Sequence, residues 1–309
     1  MAMRIVFMGT PEFALTSLDV LLKNGYEIPL VVTVPDRPRG RGQQPAPSPI
    51  KHYALAHRIP ILQPEKLTEP VLLQTLQTLQ PDLIVVVAFR ILPREVYSIP
   101  KYGSINLHAS LLPKYRGAAP IQWAIINGES ETGVTSFFLR EVVDTGSIIL
   151  QQRIPIGENE TAGEVHDKLS NLGGSVVLET VQRIEAGTVR PQVQEESAVS
   201  YAPKIFTRDC KIHWDASSQD IHNFIRGLSP QPCAWTRHKG KLLKLYRSLP
   251  LDSKSAEPGL VHTKSADQLL IGTKNGSISI LEIQQEGRSR LPIREFLRGY
   301  TMAVGDRLE

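Results

Sequence analysis

Short apolar runs alternate with helix-forming segments over the first 185 residues, and this alternation is the strongest constraint on the fold. The runs cover residues 4–8, 30–34, 61–62, 83–87 and 104–108. Helices are predicted at 11–24, 67–80, 119–127 and 161–185, whereas the proline-rich residues 35–50 predict a loop. Strands that alternate with helices favour a mostly parallel sheet. We therefore predict an α/β fold with a doubly wound, Rossmann-like sheet in residues 1–187.

The pattern changes after residue 187. Residues 188–205 are polar and contain prolines, which predicts a linker. A short helix is predicted at 218–228, and brief apolar runs that Gly or Asn-Gly punctuates follow it. Short strands at such spacing are typical of a small antiparallel β-barrel. We therefore predict a second domain, residues 206–309, of that kind.

Composition excludes several classes of protein. The 309 residues are 41% hydrophobic and 21% charged, which is unlike a disordered chain, a coiled coil or a collagen repeat. No apolar run approaches the roughly 18 residues of a membrane-spanning helix, and we expect no signal peptide. Two cysteines, Cys210 and Cys233, have no ligand-like neighbours. We expect a monomer in the cytoplasm with reduced thiols, no metal and no membrane contact.

The positive charge of the chain is concentrated in two places. Residues 1–205 carry 19 Lys and Arg against 20 Asp and Glu, whereas residues 206–309 carry 16 against 11. A second basic stretch, residues 36–51, has four positive charges and one negative charge. A charge run is most often a solvated face, but one polyanionic ligand could span both regions.

The first strand ends in Gly9-Thr10-Pro11, at the position of a nucleotide-binding loop. The segment lacks the later glycines of a dinucleotide fingerprint and the spacing of an ATP-binding loop. The simplest interpretation is a strand-to-helix turn. Such a turn could still line a ligand crevice at the carboxyl ends of the strands.

Two polar side chains share one face of the strand predicted at 104–108. Asn106 and His108 alternate with Ile105 and Leu107, and a period of two places them on the same side. Polar groups on a buried strand are costly unless they are paired or used. An amide beside an imidazole can hold a carbonyl and stabilise the oxyanion that forms on nucleophilic attack. A structural histidine is the alternative.

Asp144 lies in a turn between two strands predicted at 132–139 and 148–153. A carboxylate there is most often a turn former. If the turn folds over the end of the Asn106 strand, Asp144 would reach His108, favour the imidazolium and accept a proton. One His and one Asp fall short of a zinc site, and a triad through Ser110 lacks the usual nucleophile elbow. The neighbouring Asn106 and Asp144 therefore favour a catalytic His108 over a structural one.

Several motifs resemble those of the folate-dependent formyltransferases. The most specific is Asn106-Leu-His108 followed by Ser110-Leu-Leu-Pro-Lys-Tyr-Arg-Gly-Ala-Ala-Pro-Ile-Gln122. Further similar segments are residues 4–14, 35–42 with 49–51, 132–135, 144–146, 201–204, 212–214 and 221–227. The resemblance spans nearly the whole chain. It implies a formyltransferase domain and a C-terminal barrel similar to an OB fold.

The resemblance also implies a reaction and a set of site residues. The formyl donor would be 10-formyltetrahydrofolate, and the acceptor would be the α-amino group of methionine on initiator tRNA. Asn106, His108 and Asp144 would be catalytic. Folate would lie against Val87, Ala88, Phe89, Arg90, Ile91, Leu92, Ser110, Leu111, Leu112, Pro113, Leu139 and Val143. The tRNA would contact Arg37, Arg39, Arg41, Lys51, Lys204, Lys239 and Lys241.

Two other functions fit part of the sequence. An enzyme that formylates a small amine, such as a purine precursor or an amino sugar, would share Asn106, His108 and Asp144. It would need neither the basic stretch 36–51 nor a basic barrel. A tRNA-binding protein without activity would be expected to lack one of the three polar residues, and all three are present.

Overall fold

A computed structural model describes residues 3–39, 44–252 and 257–309. The chain forms two compact units. The first unit comprises Met1–Gly117, Gly133–Ile154 and His166–Tyr201, and the second comprises Ala118–Thr132, Pro155–Val165 and Ala202–Glu309. The two units interleave along the chain, because two short segments that precede residue 166 pack within the second unit. The domain boundaries expected from the sequence, 1–187 and 206–309, stay a prediction.

The first unit is built on a seven-stranded sheet. Its strands along the chain are β1 (Arg4–Gly9), β2 (Glu27–Val32), β5 (Ile61–Leu62), β6 (Leu83–Val87), β7 (Ser104–His108), β9 (Glu131–Phe138) and β10 (Ile148–Pro155), in the spatial order β10-β9-β7-β6-β1-β2-β5. The pairs β1–β2, β1–β6, β2–β5 and β6–β7 are parallel, whereas β7–β9 is antiparallel. The strand β6 is wholly buried, as expected for parallel strands covered on both faces. The predicted mostly parallel α/β sheet is confirmed.

The helices between these strands are divided between the two units, since the helix at residues 120–126 and the start of the helix at residues 162–185 lie in the second unit. The helices along the chain are α1 (Leu15–Lys23), α2 (Pro49–Ala56), α3 (Pro70–Leu79), α4 (Arg94–Tyr97), α5 (Pro120–Ile126) and α6 (Ala162–Glu185). The prediction of a loop at 35–50 was wrong in part, since β3 (Arg37–Arg39) pairs with β4 (Gln44–Ala46) and α2 begins at Pro49. Ser48 caps α2 by accepting the Lys51 N–H at 3.1 Å, and proline is favourable in the first helical turn.

The second unit contains an antiparallel sheet. Its strands are β12 (Ala234–His238), β13 (Lys241–Leu251), β14 (Val261–Lys264), β15 (Leu269–Thr273), β16 (Gly276–Gln285) and β17 (Leu291–Pro292). They lie in the order β12-β13-β16-β15-β14, and β17 pairs with β16. The helices α7 (Ser218–Leu228) and α8 (Ile293–Gly299) complete the unit, while β8 (Arg116–Gly117) and β11 (Tyr201–Ala202) form a short separate ladder. The sequence did not predict β12 or α8.

Residues 305–309 join the two edge strands of this sheet. Arg237 of β12 exchanges backbone hydrogen bonds with Glu309 at 3.2 and 2.9 Å. On the other edge, Val261 of β14 donates to the Asp306 carbonyl at 2.8 Å, and Leu308 donates to the Gly259 carbonyl at 2.8 Å. Both edges are therefore paired, which closes the sheet as a barrel requires.

The segments 118–132 and 155–165 both contact α7 within the second unit. Gly227 of α7 lies so close to α5 that a Cβ atom would be 2.7 Å from the side chain of Ile126. The buried guanidinium of Arg226 donates to the carbonyls of Gly157 and Glu160 at 3.1 and 3.2 Å. These contacts explain why the two units do not follow chain order. No helix in the described part of the chain is long and apolar enough to cross a membrane.

Candidate active site

Asn106 and His108 lie on β7 in the middle of the first unit's sheet. The Asn106 backbone pairs with Val86 on one side and with Phe137 on the other. The side chain of His108 is buried, whereas Asn106 is partly exposed. No hydrogen bond within the described residues occupies the Asn106 amide. This amide is therefore available to a ligand.

The imidazole of His108 is anchored through one nitrogen. Nε2 lies 2.8 Å from the carbonyl oxygen of Tyr115. Because a carbonyl only accepts, Nε2 carries a proton and donates it. Nδ1 lies 3.8 Å from Oδ2 of Asp144, which is too long for a direct hydrogen bond. The ring orientation is thus fixed, and Nδ1 faces a carboxylate across a gap that a substrate atom or water can enter.

Asp144 lies in a turn that brings its carboxylate back to the end of β7. Its backbone has a φ of 57°, in the left-handed region that few residues adopt. Oδ2 accepts the Gly117 N–H at 2.9 Å. The turn also requires Gly146, since a Cβ atom there would lie 1.6 Å from the Phe138 carbonyl oxygen. The structure therefore brings His108 and Asp144 together, although 36 residues separate them in the sequence.

The loop at 110–117 is tied down by its own hydrogen bonds. The Ser110 hydroxyl donates to the Lys114 carbonyl at 2.6 Å, and Thr135 Oγ1 donates to the Ser110 carbonyl at 2.6 Å. Thr135 Oγ1 also accepts the Leu112 N–H at 3.1 Å. Ser110 thus shapes the loop, and its hydroxyl has no contact with His108. The arrangement does not support the alternative of a triad through Ser110.

The residues expected to contact folate range from buried to exposed. Phe89, Leu92 and Leu139 pack in one apolar cluster with β6. Ile91 and Val143 are exposed, at 72% and 44%. Val87, Ser110 and Leu112 are buried, Ala88 is exposed with a φ of 47°, and Leu111 and Pro113 are partly buried. Of this set, the exposed residues Ala88, Ile91 and Val143 are the ones that a ligand could contact directly.

Arg90 anchors the loop after β6. Its guanidinium donates to the carbonyls of Glu65 and Pro64 at 2.8 and 2.9 Å and lies 5.2 Å from the centre of the Phe89 ring. Burial lowers the pKa of Arg90. Its buried Nε has no hydrogen-bond partner within the described residues.

Part of the basic stretch 36–51 belongs to the described residues. Lys51 forms an ion pair with Asp36 at 2.5 Å, and the hydrogen bond from Lys51 lowers the pKa of Asp36. Arg37 is exposed on β3. Arg39 lies on the same strand, and its side chain is outside the described part. Arg41 lies outside the described residues. One of the predicted cations therefore already has a carboxylate partner.

The predicted cations of the second unit differ in their surroundings. Lys204 lies 5.3 Å from the centre of the Phe206 ring, and Lys241 lies 5.4 Å from that of Tyr300. Lys239 forms an ion pair with Asp306 at 2.8 Å. Lys204 and Lys241 are therefore the more available of the three for a phosphate.

Sequence reasoning missed three groups beside the site and one aromatic ring, Phe206, that contacts two cations. The carbonyl of Tyr115 and the N–H of Gly117 hold His108 and Asp144, and Gln194 holds the Asp144 turn from a segment predicted to be a linker. Arg208 lies 5.1 Å from the centre of the Phe206 ring, on which Lys204 also lies. Backbone groups and an isolated glutamine carry no recognisable sequence signal.

The described residues contain no group of three or more side chains suited to hold a metal ion. Cys210 and Cys233 are free thiols, and burial raises the pKa of each to about 11. Both thiols are therefore protonated and unreactive at neutral pH.

Comparison with known families covers most of the chain. Residues 3–181 match the family described as formyl transferase, and residues 204–301 match the formyl transferase C-terminal domain. Asn106, His108 and Asp144 all lie within the first of these matches.

Similar curated proteins match over nearly their full length. The chain is 46% identical to the methionyl-tRNA formyltransferase of Pelotomaculum thermopropionicum, over 98% of this chain and 97% of that protein. It is 48% identical to the methionyl-tRNA formyltransferase of Azobacteroides pseudotrichonymphae, over 96% and 95%. Relatives this similar place the chain well inside one family.

Solved structures share the fold at lower identity. WlaRD, a sugar 3N-formyl transferase solved with dTDP and 5-N-formyl-THF, aligns with a TM-score of 0.70 and 23% identity, over 94% of this chain and all of that one. HypX from Aquifex aeolicus with tetrahydrofolic acid aligns with a TM-score of 0.68 and 20% identity, over 99% of this chain and 51% of HypX. These likenesses concern the fold, whereas the family matches concern the sequence. The chain is thus a member of the formyl transferase family.

Proposed function

We propose that the protein transfers the formyl group of 10-formyltetrahydrofolate to the α-amino group of methionine on initiator tRNA, as a monomer in the cytoplasm. The observation that carries the proposal is the approach of Asp144 to within 3.8 Å of His108, beside an amide that has no partner within the described residues. The 46% identity to a methionyl-tRNA formyltransferase over nearly the whole chain supports the acceptor.

The oxygen of the formyl group would lie between the Asn106 amide and Nδ1 of His108. The Asn106 side chain can donate, and a proton on Nδ1 would make the ring an imidazolium. Asp144 on one side and the Tyr115 carbonyl on the other stabilise that positive charge. Donors fixed before the reaction stabilise the oxyanion of the tetrahedral intermediate without reorganisation.

The amine must be neutral when it attacks the formyl carbon. Its nitrogen then carries a positive charge and must lose a proton. Esterification of methionine lowers the pKa of its amino group, so the neutral form is available. Oδ1 of Asp144, the carboxylate oxygen that Gly117 does not use, would accept the proton. The new C–N bond forms as the carbonyl carbon becomes tetrahedral. The intermediate then breaks its bond to N10 of tetrahydrofolate, which receives the proton.

The loops beside this site offer a surface suited to a folate ring. Ile91 is 72% exposed, and Val142 is 65% exposed. An apolar surface with a few backbone polar groups is typical of sites for planar ligands. We propose that the donor lies against loop 88–92 and the turn at 139–143, with its ring held mainly by backbone groups.

A different acceptor is the second candidate, because the sugar formyl transferase WlaRD shares the fold. The basic residues favour tRNA, since exposed Lys204 and Lys241 have no use with a small amine. A phosphate-rich ligand would be attracted to both. The tRNA acceptor therefore remains our proposal.

The experiment supplies 10-formyltetrahydrofolate with charged initiator tRNA, a dTDP-amino sugar or glycinamide ribonucleotide in parallel. We expect formylation of methionyl-tRNA alone at micromolar enzyme. D144N serves as the matched control, because it preserves the shape of Asp144 and removes its charge. Formylation of a small amine with no reaction on tRNA would overturn the proposal.

A further inference from the structure

The segment 192–200 lies against both loops that flank His108. Gln192 exchanges backbone hydrogen bonds with Ile148, at 2.7 and 2.8 Å, next to the Asp144 turn. Ser200 Oγ accepts the Tyr115 N–H at 2.9 Å, and the Ser200 carbonyl accepts the Arg116 N–H at 2.9 Å. One segment thus holds the loop that binds Nε2 of His108 and also the turn that carries Asp144.

Gln194 makes the contact between this segment and the Asp144 turn. The side chain is 5% exposed, and its Nε2 donates to the carbonyls of Asp144 and Gly146, both at 2.8 Å. Its Oε1 accepts from Arg116, at 3.1 Å from Nε and 2.8 Å from NH2. All the polar atoms of the amide therefore have partners, and its orientation is fixed by them.

Arg116 completes the arrangement from the opposite side. Its guanidinium is buried, and Glu196 lies 3.0 Å from NH2. A buried charge is costly unless it is paired and hydrogen bonded, as this one is. In the sequence, Arg116 lies between Tyr115, which accepts from His108, and Gly117, which donates to Asp144. The backbone groups on both sides of this arginine therefore bind the two ionisable groups of the site.

The backbone at the site needs such support. Asp144 and Tyr115 both have left-handed conformations, with φ of 57° and 61°. Residues other than glycine keep this conformation only where neighbours determine it. The two amide hydrogens of Gln194 bind on either side of Thr145, at the centre of the turn.

We propose that Gln194 is a positioning residue, which holds Asp144 at its distance from His108 and is itself oriented by Arg116. The proposal rests on the proposed function, because it assigns Gln194 a role through Asp144. Gln194 donates to backbone carbonyls and has no contact with the reacting atoms in this scheme.

The test is a double-mutant cycle between Gln194 and Asp144. Q194M keeps the length of the side chain and removes both sets of hydrogen bonds. We expect Q194M to lower kcat by about 10- to 100-fold, with KM for methionyl-tRNA and for the folate within about threefold of the parent. In the D144A background the same substitution should lower kcat by less than about twofold, because the carboxylate that Gln194 positions is gone.

Other outcomes separate the two proposals. If Q194M lowers kcat by the same factor in the parent and in D144A, the positioning role is overturned, while the proposed function stands. A kcat of Q194M within twofold of the parent has the same meaning. A parent enzyme that does not formylate methionyl-tRNA overturns the proposed function instead. If Q194M does not fold, Q194E replaces it, since the carboxylate keeps the acceptor for Arg116 and loses the donor to the turn. V193A, at the neighbouring exposed position, is the control and should behave as the parent.

Discussion

The site around β7 and the basic surface of the second unit differ in how their polar side chains are held. Around β7, the polar groups are buried and bound by fixed partners: His108 is 6% exposed and Asp144 is 7% exposed. On the second unit, the candidate tRNA cations are exposed. Lys204 and Lys241 lie over aromatic rings, and Lys239 forms an ion pair with a carboxylate. Chemistry at one carbon requires atoms at fixed positions, whereas attraction of a polyanion depends mainly on charge density. The loss of one residue should therefore matter far more in the first region.

The largest expected effect tests that contrast at Asp144. D144N keeps an oxygen that can accept the Gly117 N–H and removes the charge that faces His108. We expect kcat to fall by about 10³-fold, since proton transfer and stabilisation of the imidazolium are both lost. KM for both substrates should stay within about threefold of the parent, measured by steady-state kinetics. Activity within a few-fold of the parent would remove Asp144 from the mechanism.

The second largest fall in kcat is expected for a substitution of Asn106. N106A removes a donor that no described residue occupies. Loss of one donor to an oxyanion typically lowers kcat by 10²- to 10³-fold, and we expect a value near the lower end. The melting temperature should change little, because no internal hydrogen bond is broken. A large drop in melting temperature together with unchanged kcat would instead assign Asn106 a structural role.

The sequence predicted much of the sheet and part of the site for the same physical reason. Strands such as 83–87 are buried on both faces, so they appear as continuous apolar runs. Asn106 and His108 stood out because polar residues interrupt such a pattern. The turn at Asp144 lies between two predicted strands, and topology then brought it to the end of β7.

The missed features differ in how much local sequence signal they carry. The helix α2 begins at Pro49 inside a proline-rich stretch. Ser48 followed by Pro49 is a usual helix start, but the other prolines around it favoured a loop. Gln194 lies in a polar segment without periodicity, where an important glutamine looks like any other. Its role arises from three partners that are distant in sequence, Arg116, Asp144 and Gly146.

A smaller effect is expected for the cations of the second unit. Lys204 is exposed and has no carboxylate partner within the described residues, so we expect K204A to raise KM for tRNA about two- to fivefold while kcat at saturating tRNA is unchanged. Removal of one phosphate contact should also weaken the salt dependence of tRNA binding. A plot of the logarithm of the association constant for tRNA against the logarithm of the salt concentration should have a slope about one unit less negative. K239A is the comparison, because Asp306 already pairs with Lys239, and its effect should be smaller. A fall in kcat for K204A would contradict the contrast between the two regions.

The smallest expected effect concerns stability. Asp306 accepts from Lys239, the Ala303 N–H and His238, at 3.0, 2.8 and 3.1 Å, and these contacts lower its pKa from 3.8 to about 2. A carboxylate with a lowered pKa stabilises the fold above its unfolded pKa, and this contribution is lost as the pH falls from about 3.8 towards 2. D306N should therefore unfold at lower urea concentration than the parent at pH 7, and the difference should narrow below about pH 4. A difference in urea midpoint that is constant from pH 7 to pH 3 would mean that the charge of Asp306 does not stabilise the second unit.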